Sequence, residues 1–104
     1  MRFPVYNFQE LGIYTPGSGY AHKVQIGKCI FIFALLRYKQ NSNPWTQVIN
    51  GLNIVDRDSS MFTAYDINGN EYPFQLNYRN GYIQNGNCSI LQNTEIHICF
   101  FYTL

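Results

Sequence analysis

Polar and apolar residues alternate through His22-Lys23-Val24-Gln25-Ile26, a period of two that marks a half-buried strand. After Gly27 the pattern changes. Cys29-Ile30-Phe31-Ile32-Phe33-Ala34-Leu35-Leu36 is apolar at both alternating sets of positions, which predicts a strand covered on both faces. In a small antiparallel domain the second cover comes from another subunit, so Ile30, Phe31, Ile32 and Phe33 are candidate subunit-interface residues. A short buried helix is the competing reading, and four consecutive β-branched or aromatic residues oppose it.

Trp45–Ile49 reads as a strand with Trp45, Gln47 and Ile49 on one face, and Asn50-Gly51 as a turn into a further strand, Leu52–Val55. Met61–Tyr65 and Glu71–Tyr78 flank Asn68-Gly69, a pair suited to the positive φ of a type I′ hairpin. On the second arm Tyr72, Phe74, Leu76 and Tyr78 share a face. Pro73, opposite them, has no N–H and predicts an open edge or a bulge. Tyr82–Gln84 and Cys88–Leu91 are short strands beside two more asparagine-glycine turns. The last strand, Glu95–Tyr102, sets Ile96, Ile98, Phe100 and Tyr102 against Glu95, His97, Cys99 and Phe101. Near the start, Val5–Phe8 is a short strand and Pro16-Gly17-Ser18-Gly19 a turn or loop. Eight or nine short strands, without a helical period or an internal repeat, predict an all-β fold: an antiparallel sandwich or barrel. It is one domain over 1–104, with 20–104 as its core and 1–19 as a linker or edge segment.

Composition strengthens the β reading and narrows the function. Nine Tyr and eight Phe stand in 104 residues, whereas only 12% of residues are charged. The net charge is +1, with no run of Lys or Arg, so the basic stripe that a nucleic-acid binder uses against phosphates is missing. The longest apolar run has eight residues, against the roughly 20 that span a bilayer as a helix, so membrane insertion is not expected. Met1-Arg2-Phe3-Pro4 lacks the apolar stretch of a signal peptide. Three cysteines without a CxxC pair suggest neither a disulfide framework nor zinc, and Cys29 and Cys99 read as buried reduced thiols in a reducing compartment.

Chemistry is sparse. His22 and His97 read as structural or surface residues, and no nucleophile, base and carboxylate share a recognisable spacing. His97 and Cys99 project from one strand face, a weak metal or nucleophile pair. Asp66, Asn68 and Asn70 imitate the start of a calcium loop, but the glycine is misplaced, the bidentate glutamate is absent, and a hairpin explains the same residues. No cofactor and no catalytic activity are expected. Asp56-Arg57-Asp58 is better suited to recognition, because carboxylates beside an arginine can hydrogen-bond sugar hydroxyls while Trp45 stacks on the ring's apolar face. Trp45, Asp56, Arg57 and Asp58 are therefore the candidate ligand-binding residues, with a solvated, self-satisfied loop as the plainer alternative.

The order of elements from Tyr20 onward resembles the C-terminal head domains of bacteriophage tail fibres and receptor-binding proteins. The matching text is Val24-Gln25-Ile26-Gly27, Cys29–Leu36, Trp45-Thr46-Gln47-Val48-Ile49, Leu76-Asn77-Tyr78-Arg79-Asn80-Gly81-Tyr82-Ile83 and Glu95–Tyr102. Where many such heads carry Leu-Pro after the tryptophan strand, this chain has Gly51-Leu52-Asn53. The resemblance implies a jelly-roll-like knob, a homotrimer in the virion, and recognition of a host-surface saccharide. A structural fibre tip or decoration protein with no ligand of its own, and a free-standing lectin-like module, are the alternative readings.

Overall fold

The computed structural model describes residues 6–14 and 16–104. Among the described residues nine strands form: β1 (Tyr6–Glu10), β2 (Gly12–Ile13), β3 (Gly17–Ile26), β4 (Cys29–Tyr38), β5 (Gln47–Asn50), β6 (Ser60–Asp66), β7 (Glu71–Asn77), β8 (Tyr82–Asn85) and β9 (Glu95–Thr103). All pairings are antiparallel, in the order β1-β3-β4-β9-β6-β7-β8-β5-β2. Only Leu11 separates the two terminal strands of that order, and its N–H donates to the Ala21 carbonyl at 2.9 Å. One N-terminal stretch thus crosses between the sheet's two ends, and the sheet is a nearly closed barrel. Closure leaves few unpaired edges, the usual liability of an open sheet.

The inner surface follows from the period of two. Ile30, Ile32, Ala34, Leu36 and Tyr38 of β4 point in, as do Ile96, Ile98 and Tyr102 of β9, and Phe74, Leu76 and Ile83 fill the opposite wall. Tyr72, Phe74, Leu76 and Tyr78 share the inward face, as their spacing predicts. β6 and β9 pair only at Tyr65↔His97 and Asp66↔Ile96, then diverge. Phe62 and Phe100 pack in the space between them, with ring centroids 4.5 Å apart, so an aromatic pair closes what the ladder leaves open.

Several local expectations are corrected. Gly17–Gly19 is the first part of β3, not a turn or loop. Gly19 lies at φ +112°, and a Cβ there would meet the Leu35 carbonyl oxygen at 2.0 Å, so glycine allows a close strand approach. Residues 52–55 form no strand; Leu52 and Val55 donate to the Gly81 and Tyr78 carbonyls as an irregular segment along the β7–β8 turn. A register shift between Gln47 and Ile49 buries both Val48 and Ile49, which breaks the alternation read from Trp45. Cys88–Leu91 contributes only the bridge Ser42↔Ile90. In the β6–β7 hairpin, Asn68 has no positive φ; Gly69 alone does, at +82°, and its N–H donates to Asp66 O at 3.0 Å. This is a type I turn followed by a left-handed glycine, fixed by the Asp66 carboxylate accepting from the amides of Asn68 and Asn70. Pro73 lies where β7 outruns β8, whose ladder begins one residue later at Phe74↔Asn85. Val5, assigned above to the first strand, and Met1–Pro4 lie outside the described residues.

Candidate functional site: the loop end of the barrel

The barrel has two unlike ends. At one, the strands are joined by the Gly27–Lys28 turn, the 51–59 segment and the turn after β7. At the other, residues 39–46, 67–70 and 86–94 form three loops carrying Asn41, Asn43, Asn68, Asn70, Asn87 and Asn93. The first and the last of these loops are bound to each other. Ser42 and Ile90 exchange two backbone hydrogen bonds of 2.7 and 3.0 Å, and the Gln92 N–H donates to Asn41 Oδ1 at 2.8 Å. Beneath them lies Asn85, wholly buried at the end of β8. Its Oδ1 accepts from the Thr46 N–H at 2.9 Å, while its Nδ2 donates to the carbonyls of Asn43 and Cys88 at 2.9 and 2.8 Å. One amide therefore satisfies groups from two loops, an arrangement that fixes their relative position.

Three large apolar side chains project from this rigid end: Trp45 is 50% exposed, Ile67 79% and Leu91 67%. Ile67 and Leu91 face a groove of about 350 Å³ whose walls include Asn68, Gln92, Asn93 and Glu95. Among the described residues, the two non-glycine residues with positive φ are Trp45 at 59° and Asn93 at 71°, and both are here. Such conformations cost free energy and concentrate at ligand-binding positions. The carboxylate of Asp66 is not free for a ligand. Its oxygens accept from the Asn70 side chain, the Asn70 and Asn68 backbone and the Tyr72 hydroxyl, and these bonds, led by the Asn70 side chain, hold its pKa below the ordinary carboxylate value. What remains is mainly amides that both donate and accept, beside apolar surface, with Glu95 in the wall paired to Arg37.

The residues singled out from sequence separate. Trp45 donates its N–H to Gly86, just past the loop end of β8, whereas the segment leading to Asp56 is bonded to Gly81 and Tyr78 at the other end of that strand. Trp45 and Asp56–Asp58 therefore do not form one site. Asp56 and Asp58 each pair with Arg79 at 3.3 Å, and Arg57 lies over the Tyr78 ring, 5.0 Å from its centre. The Asp-Arg-Asp triplet is thus paired locally, with both carboxylates still almost wholly exposed. Ile30 and Ile32 are wholly buried inside the barrel, while Phe31 and Phe33 point outward, so only two of the four residues assigned to a subunit interface can reach one. Cys99 is exposed and Cys29 half-buried, because both stand on the outward set of positions; neither is a core thiol. His22 lies against Phe8 and Tyr20 on the outside of the barrel, and His97 is 3.6 Å from Glu95. Among the described residues no three His, Cys, Asp or Glu side chains converge as metal ligands.

Sequence reasoning missed Ile67 and Leu91. Each is an apolar residue within a polar turn segment, Asp66-Ile67-Asn68-Gly69 and Leu91-Gln92-Asn93, and that mismatch was the available signal. No family model, no curated protein and no solved structure matches the chain.

Proposed function

We propose that this chain is a non-catalytic binding head whose loop end recognises a saccharide on a host-cell surface, as the resemblance to phage receptor-binding heads implies. The observation that carries the reading is a loop end that exposes Trp45, and exposes Ile67 and Leu91 around one groove, with the 39–46 and 86–94 loops locked by Asn85. A sugar presents an apolar C–H face and a rim of hydroxyls; exposed apolar side chains suit the first, and fixed amides suit the second. Loops held in place before binding spend less free energy on ordering. The reading involves no cofactor and no chemical step.

The test is binding of the purified protein to a glycan array and to host-envelope polysaccharide, repeated with Trp45→Ala and with the double variant Asp56→Ala/Asp58→Ala. Trp45→Ala is expected to weaken binding at least ~10-fold, about 1.4 kcal/mol, with unchanged thermal melting. The double variant is expected to bind normally. No binding to any saccharide, or loss of binding only in the Asp56/Asp58 variant, would sink this site assignment. The reading as a purely structural fibre tip draws its support from the aromatic outside of the barrel, described next, and a head that assembles yet binds no saccharide would favour it.

A further inference from the structure

The outside of the barrel is divided. Along β1, β3, β4 and β9, the outward positions form cross-strand rows: Phe8, Val24, Phe31 and Phe101 in one, and Tyr20, Leu35 and His97 in another that continues to Tyr65 of β6. Phe8 and Phe101 protrude, each 62% exposed, and Phe31 stacks on Phe101 at 5.9 Å between centroids. Beside these knobs is a hollow of about 380 Å³ lined by Tyr20, Phe33, Leu35, Thr63, Tyr65 and Cys99. On the opposite side the outward rows carry amides, Gln47, Gln84 and Gln75 in one and Asn50, Tyr82 and Asn77 in another.

We propose that the aromatic side is the contact surface for a second copy of this chain. Three observations favour a copy over an unrelated partner. First, the face holds both parts of a packing contact, protruding phenylalanines and an apolar hollow, so two copies can supply knob and hole to each other. Second, the face is nearly neutral. Arg37 and Glu95 pair with each other at 3.1 Å at its margin, and Glu10 stands 4.0 Å from His22, so one copy meets another without a field of like charges. The whole chain carries only +1, which opposes self-association weakly. Third, the size fits. Aromatic side chains bury roughly 150–250 Å² each, so the exposed parts of Phe8, Tyr20, Phe33, Tyr65 and Phe101 amount to on the order of 500 Å². That is at the upper end of the roughly 300–600 Å² of the largest patch on a typical monomer, and it matches the apolar share of a stable interface of roughly 800 Å² per partner. The contact leaves the loop end free and does not depend on the saccharide reading.

The experiment is sedimentation velocity of the intact protein from about 1 to 100 μM, the range in which a micromolar interface shows itself. Reactivity of Cys99 toward a thiol reagent is followed in parallel. The expected mass is a multiple of 12.1 kDa at the upper concentrations. Cys99, across from Phe33 on the proposed interface, is expected to react at least ~10-fold more slowly there than after dilution. Phe8→Glu/Phe101→Glu, at two exposed positions, is expected to give a monomer with an unchanged β spectrum. Should that variant fail to fold, the dilution dependence of Cys99 in the unaltered protein decides the matter. A monomer at 100 μM, an oligomer that survives both substitutions in a folded variant, or a monomer captured by neutral phosphatidylcholine vesicles would each overturn the proposal.

Discussion

The β3–β4–β9 wall and the β7–β8–β5 wall have the same interior and opposite exteriors. Inside, both are packed with Ile, Leu, Phe and Tyr. Outside, the first shows Tyr20, Phe31, Phe33 and Phe101, the second Gln75, Asn77, Gln84 and Asn50. Their main-chain support differs as well. β3–β4 is continuous over ten paired positions, from Gly17↔Tyr38 to Ile26↔Cys29, whereas β5–β8 pairs at three positions across a bulge and β2–β5 at two. The amide wall makes up the difference with side chains. Gln84 Nε2 donates to Gln75 Oε1 at 2.6 Å, Asn77 Nδ2 to the Tyr82 hydroxyl at 3.1 Å, and Asn50 Nδ2 to the Tyr14 hydroxyl at 2.6 Å. A wall whose outer polar groups satisfy one another is suited to water; a wall with an apolar exterior is suited to cover. Between the two walls, the exposed aromatic rows belong to the β3–β4–β9 side, and a separate group of exposed apolar residues, Trp45, Ile67 and Leu91, belongs to the loop end.

Cutting into each wall should separate them. Replacing Ile32, wholly buried in β4, by Ala is expected to cost about 2–5 kcal/mol in urea denaturation, as a global loss in which exchange accelerates in both walls. Replacing Asn85 by Ala leaves the Thr46 N–H and the Asn43 and Cys88 carbonyls without their partner, at an expected cost of about 2–3 kcal/mol. Here hydrogen exchange should quicken first around Thr46 and the 86–90 segment, with β3–β4 still protected. Equal acceleration in β3–β4 would contradict the division.

Alkali should attack the aromatic wall. Tyr38 of β4 and Tyr102 of β9 have buried hydroxyls without a hydrogen bond of normal geometry. Burial first, and Tyr78 second, pushes Tyr102 up to about 12, with Arg57 and the nearby Asn53 amide opposing. Burial, then Cys88, raises Tyr38 also. Both folded values exceed the unfolded value of about 10, so their contribution to stability is complete below pH ~10 and is lost as pH rises through 12. Lys23, inside the barrel with its Nζ donating to Asn53 Oδ1, has the opposite sign. Burial lowers its pKa, so the unfolded chain binds more protons between that value and about 10.5, and stability rises with pH across that window. Urea midpoints followed against pH should therefore fall above pH ~10. Tyr102→Phe is expected to move that fall to higher pH, with stability at pH 7 unchanged or raised by up to ~1 kcal/mol. An unmoved alkaline limb would remove Tyr102 from the explanation.

The smallest effect is expected on the amide exterior. Gln84→Ala removes one side-chain hydrogen bond to Gln75 at a half-buried surface position, and about 1 kcal/mol or less is expected from thermal melting. A larger loss would mean that this row carries more of the barrel than its position suggests.

Much of the fold was legible because a period of two is local. β3 from Tyr20 onward, β4, β6, β7 and β9 emerge within a few residues of where alternation places them. The misreadings have local physical causes too: a bulge that buried Val48 beside Ile49, an Asp66 carboxylate that selected a different turn, and glycines that served strand approach at Gly19. The candidate site was less legible, since Trp45 emerged while Ile67 and Leu91 of the same end did not. Nothing within residues 41–46 says that the 86–92 segment will stand beside them.

By itself, then, the sequence determined the all-β class, the strand faces and the presence of a second apolar face on Cys29–Leu36. It did not determine which face points in, because both sets of side chains in β4 are apolar and only the pairing with β3 and β9 distinguishes Ile32 from Phe33. Tertiary structure alone decided that β1 and β2 nearly close the barrel, and that Trp45 and Asp56–Asp58 lie at opposite ends of it. The reason is the range of the interactions. Alternation is written by adjacent residues, whereas register and closure are set by contacts between residues tens of positions apart, whose favourable free energy exists only once the chain has brought them together.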